Sequence, residues 1–161
     1  MTSSAAPSSL DDLLAIAAIE DVMLEYCDAF DEGRIEDVVA QFTVDCKFDL
    51  GNGDVRHGRE ALHEFLSMRA GLYSATSHHV SNVRIRLRDT DGATATSYVY
   101  ARSWHRGTEF TSELWGRYRD VLTKVDGVWQ ISERQLRAAG SARFPVPEGK
   151  QAAFELIERR S

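Results

Sequence analysis

The chain has 161 residues, 43% of them hydrophobic and 27% charged, the size and balance of one soluble domain with a single core. A formal net charge of -6 disfavours a nucleic-acid partner, since such binding rests on concentrated positive charge. The two cysteines, Cys27 and Cys46, form no C-x-x-C pair, so a reducing cytoplasm is the expected compartment.

The opening "MTSSAAPSSL" is polar and small, without the charged-then-apolar layout of a signal peptide. Residues 1–9 therefore read as a disordered tail. From residue 10 to 31 the helical period is strong: Ile16, Ile19, Met23, Tyr26, Cys27 and Phe30 fall on one side of a helical wheel. Glu20 and Asp21 break its apolar run, which excludes a membrane span. Gly33 supplies a stop, and "RIEDVVAQF" predicts a second short helix. "CKFDL" reads as a strand closed by the turn "GNGD". Residues 58–72 predict another amphipathic helix, with Ala61, Leu62, Phe65, Leu66 and Met68 apolar.

The period then changes to two. "HHVSNVRIRLR", "ATATSYVYARSWH", "EFTSELWGRYRDVLTKV" and "VWQISERQLRAAG" predict four successive strands joined by "DTDG", "RGTE" and "VDG" turns. After the loop "RFPVP", "EGKQAAFELIERR" carries a short helical pattern. Helices followed by a long antiparallel meander define an α+β domain with helices on one sheet face. The domain is expected over residues 10–140, with residues 141–161 forming a lid or an oligomer contact.

"AAIEDVMLEYCDAFDEGR", "TSHHVSNVRI" and "YRDVLTKVDGVWQISER", in this order, resemble the SnoaL-like branch of the NTF2-like superfamily over about residues 12 to 140. The resemblance implies a cone, a strongly bent antiparallel sheet wrapped around the N-terminal helices with an apolar pocket at its open end. The dehydratase and dehydrochlorinase members look nearest, and they place an Asp at the end of the first helix and a His at the start of the first long strand. Those positions fall on Asp31 and His78. Tyr26, His105 in "SWHRG" and Arg134 also match catalytic or pocket positions within that branch. Phe30 and Leu50 depart from it, each replacing a tyrosine of the dehydratase pattern.

A carboxylate bonded to one imidazole nitrogen fixes the tautomer and leaves the other nitrogen as a base near neutral pH. His78 would then abstract a proton, Tyr26 or His105 would protonate a departing group, and Arg134 would stabilise developing negative charge. Phe30, Met23, Tyr98, Tyr100, Leu114 and Tyr118 are the expected pocket lining. Strand parity raises an objection: His79 shares a face with Val83, Ile85 and Leu87, whereas His78 shares one with Asn82 and Arg84. A bulge would restore His78, and otherwise His79 is the base.

His57 and His63 are six apart, the wrong spacing for an H-E-x-x-H face, and no nucleotide-binding glycine motif is present. Neither metal nor cofactor is expected, and His57 and His63 read as surface residues. The resemblance implies a cofactor-independent lyase, removing water or HX from a hydrophobic cyclic small molecule. An isomerase, a polyketide-type cyclase or a non-catalytic binding subunit are the alternatives. The exposed face of a bent sheet needs covering, so a homo-oligomer is expected, for which the resemblance implies a trimer or dimer, and neither nucleic acid nor membrane is expected as partner.

Overall fold

The computed structural model describes Pro7 and residues 9–146. The expected disordered tail, apart from Pro7 and Ser9, and the expected C-terminal helix lie outside the described residues. Helix α1 spans Leu10–Glu32, with the Ser9 side chain accepting from the Asp12 N–H at 3.0 Å as its N-cap. Gly33 ends it in the left-handed region at φ 79°, where Gly33 donates to Phe30 O and Arg34 to Ala29 O. Glycine meets that conformation without the steric penalty a Cβ would bring.

Helix α2 covers Ile35–Ala40 and strand β1 Phe42–Asp49. A three-residue strand β2, Val55–His57, returns along β1 and leads into helix α3, Gly58–Gly71. The meander follows as β3 Tyr73–Leu87, β4 Gly92–His105, β5 Phe110–Val125 and β6 Val128–Pro145. The six strands form one sheet in the order β2-β1-β6-β5-β4-β3, in which only the β1–β6 pairing is parallel. Strand β2 is not among the expected elements, and β6 continues through Phe144 and Pro145, where a loop is expected.

The sheet is bent by bulges, each adding one residue to one strand and raising the local twist. On β6 the extra residues are Ser132, since Val121 faces Glu133 and Leu122 faces Ile131, and Ala139, since Trp115 faces Gly140 and Gly116 faces Ala138. Gly116 belongs to this bend, because a Cβ there would stand 2.4 Å from Arg137 O.

The helices pack on the concave face. Ile19 and Met23 of α1, Val38 of α2 and Leu62 of α3 close on Phe42, Cys46, Leu122 and Ile131, all of them at most 1% exposed. Trp129 joins this core. Removing such side chains from water is the main drive for the fold. Among the described residues no helix is long and apolar enough to cross a membrane.

Candidate active site

The last turn of α1 and the first half of β3 meet at one end of the cone. Tyr26, Cys27 and Phe30 lie buried on the helix stripe, Asp28 faces solvent, and Asp31 sits half-buried at the stripe's edge. From there one Asp31 oxygen lies 2.6 Å from His78 Nδ1, and the other accepts the His78 backbone N–H at 2.6 Å. A carboxylate accepts only, so Nδ1 carries a proton, and in the neutral imidazole Nε2 is then the acceptor. Burial pushes the Asp31 carboxyl up, but the hydrogen bonds and charge of His78 outweigh it and hold the group below its ordinary range. The Phe30 ring meets the imidazole edge-on, with centroids 5.4 Å apart.

A bulge decides which histidine faces inward. Between Ser81, opposite Tyr98, and Arg84, opposite Thr96, β3 advances three residues while β4 advances two. Asn82 carries the irregularity in the left-handed region at φ 51°. Val83, Ile85 and Leu87 thus pack toward the core, and upstream of the bulge the same face carries Val80 and His78. His79 turns outward, exposed, with Nε2 3.1 Å from Ser77 Oγ and its ring 6.0 Å from that of Tyr100.

His78 lines a cavity of about 300 Å³, together with Tyr26, Phe30, His105, Leu114 and Tyr118 of the expected set. Met23 does not line it, being a core residue 1% exposed. Tyr98 and Tyr100 do not line it either. They alternate with the inward Ser97, Val99 and Ala101 and point to the outer sheet face. There Tyr98 is 42% exposed, takes a hydrogen bond from Arg117 and lies 4.4 Å beneath its guanidinium.

Arg134 is likewise withdrawn from the cavity wall. It lies opposite Asp120 and bonds it through Nε and Nη2, both at 2.8 Å, with both side chains at most 1% exposed. Burial disfavours its charge, but the adjoining Asp120 carboxylate raises its pKa overall. The guanidinium stands 4.2 Å from the Tyr26 ring centroid and 4.4 Å from that of Tyr118, so it backs the two phenols. Burial pushes the Tyr26 hydroxyl up to about 12, despite Arg134 nearby, and Tyr118 well above its ordinary value. Both are therefore hydrogen-bond donors at neutral pH.

His105 does reach the cavity, with Nε2 2.8 Å from Ser112 Oγ. Arg69, Tyr73, Ser112 and Arg143 complete that side and were not expected from the sequence. A larger depression of about 640 Å³ lies elsewhere, against Thr43, Arg88, Asp89 and Gln130, and holds no histidine. Among the described residues no three His, Cys, Asp or Glu side chains converge as a metal site. His57 is exposed and His63 lies 3.5 Å from Glu36 near the surface.

The chain belongs to the SnoaL-like domain family, whose pattern matches residues 11–135. Its structure is similar to that of a candidate scytalone dehydratase from Novosphingobium aromaticivorans, at 29% identity over 86% of this chain and 96% of that one, with a TM-score of 0.79. A hexachlorocyclohexane dehydrochlorinase of type 2 shares the fold at 18% identity, covering 88% of this chain and 99% of that one with a TM-score of 0.79. The type 3 enzyme from Novosphingobium barchaimii shares it at 17% identity, covering 85% and 94% with a TM-score of 0.77. No curated protein matches the chain in sequence.

Proposed function

We propose that this protein is a cofactor-independent lyase that eliminates water or HX from a hydrophobic cyclic small molecule. The observation that carries the reading is the Asp31–His78 pair, joined by two hydrogen bonds, on the wall of a cavity lined by Phe30, Leu50, Phe65, Leu66 and Leu114. The neutral His78 Nε2 takes a proton from a carbon made acidic by a neighbouring carbonyl or leaving group. The C–H electrons become the new double bond, and the leaving group departs with its own electron pair. Asp31 stabilises the imidazolium that results. Tyr26, protonated and paired with Tyr118, donates to the departing oxygen or halide. Arg134 acts only through the two phenols, as a positioning residue. Burial, then Arg143 and Arg69, lower the His105 pKa, which disfavours the imidazolium that would be needed for it to serve as the acid.

The test is a panel of cyclic β-hydroxy ketones and halogenated rings, with products weighed by mass spectrometry. Loss of water or HX is the expected result, and a product of unchanged mass would assign isomerisation or cyclisation to the same base. His78→Ala is expected to lower kcat about 10²- to 10⁴-fold on any substrate found, and Asp31→Asn to lower it as well. Full activity in both variants would remove the pair from the mechanism. A homo-oligomer, readable by light scattering, and a cytoplasmic location belong to the same proposal.

A further inference from the structure

One side of the cavity carries charge that the elimination does not use. Arg69 enters from the last turn of α3 and Arg143 from the end of β6, and both line the cavity while keeping contact with water. Arg69 donates to the Tyr73 hydroxyl and stands 5.2 Å from that ring's centroid. The Arg143 guanidinium lies 5.0 Å from the Phe110 ring. The His105 imidazole bridges the two aromatics, 5.0 Å from Tyr73 and 4.6 Å from Phe110. Ser103, Ser112 and Ser141 add hydroxyls to the same cavity.

Among the described residues neither arginine meets a carboxylate within ion-pair distance. Glu113, the acidic residue of the lining, lies 3.9 Å from Arg102 instead. The positive charge of both guanidiniums reaches His105, adding to burial in lowering its pKa. The cavity thus has an apolar floor with the base on its wall and two cationic forks at its mouth. A guanidinium matches the two oxygens of a carboxylate in one plane, which gives orientation as well as attraction. In a chain of net charge -6, this local field draws in an anion that the molecule as a whole repels.

We propose that the substrate is a cyclic carboxylate, held at the cavity mouth by Arg69 and Arg143 while its ring lies against Phe30 and Leu114 within reach of His78. This rests on the site assigned above and narrows its substrate class. A bound carboxylate also turns the ring so that one carbon faces the base, and fixing that geometry lowers the barrier.

The experiment is calorimetric titration of the full chain with 2-naphthoate and with 2-naphthamide, which share a shape and differ in charge. The acid is expected to bind on the order of tenfold more tightly than the amide, as charge-assisted hydrogen bonds at a water-exposed mouth provide. The preference is expected to fall in Arg69→Gln and in Arg143→Gln and to vanish in the double variant. Unchanged amide binding in these variants shows that the cavity is intact. Asp31→Asn is expected to keep the preference, which separates this inference from the lyase reading. Equal binding of acid and amide, a preference that survives the double variant, or binding of neither ligand overturns it.

Discussion

His78 is anchored twice by one side chain, through its ring nitrogen and its backbone N–H. That arrangement ties the proposed base to the end of α1 and makes the Asp31 charge part of the folding equilibrium. Asp31 has a folded pKa below its ordinary value, so the unfolded chain binds its proton more readily. Stability from this group is therefore complete above the unfolded value of about 4 and is lost as pH falls through the folded value. Asp31→Asn is expected to be less stable than wild type at about pH 7, with the gap narrowing below about pH 4, read as urea midpoints in both proteins. A gap independent of pH would mean that the carboxylate's ionisation contributes nothing. Arg134 was legible as a pocket-region residue only through resemblance. Its withdrawal behind Tyr26 and Tyr118 follows from Asp120, whose alignment no local pattern signals.

At the scale of elements, bulges separate what alternation predicts from what the strands do. Counting back from the β5–β6 turn, with Val125 opposite Val128, an unbroken hairpin would set Asp120 against Glu133. The extra residue at Ser132 moves Arg134 into that place, turning a repulsion into a buried ion pair. Likewise, simple alternation along β3 would send His79 inward, and the extra residue at Asn82 sends His78. Asn tolerates the left-handed region better than most residues, while a β-branched side chain does not. Asn82→Gly is expected to leave stability nearly unchanged, and Asn82→Val to cost about 1–2 kcal/mol, both measured by urea unfolding. Equal stability of the two would show that the φ at this position is not a constraint. The misplacement of Tyr98 and Tyr100 has a related cause, since alternation groups residues by face without telling which face the helices cover.

For the molecule as a whole, the change of period from 3.6 to 2 after residue 72 was enough to predict helices first and a meander second. It could not reveal β2, which at three residues is too short to show a period, nor the run of β6 past Gly140 and through Phe144. That run matters, because it brings Arg143 to the cavity, where a strand ending at Gly140 would leave the mouth without its second cation. The cavity itself draws on α1, α3 and five strands, an assembly that no single stretch of sequence encodes.

The two hydrogen bonds from His78 to Asp31 would also set the stereochemistry of proton abstraction by the proposed base. An imidazole held by its Nδ1 and its own backbone cannot turn its ring to present Nε2 elsewhere, so the base addresses only one flank of whatever lies in the cavity. Of two mirror-image substrates, one offers its acidic hydrogen on that flank and the other presents it to the opposite wall. A racemic substrate is accordingly expected to stop near half conversion, with the unreacted portion recovered as a single enantiomer by chiral chromatography. Equal consumption of both hands would require a second base, and the search for it would begin at His105.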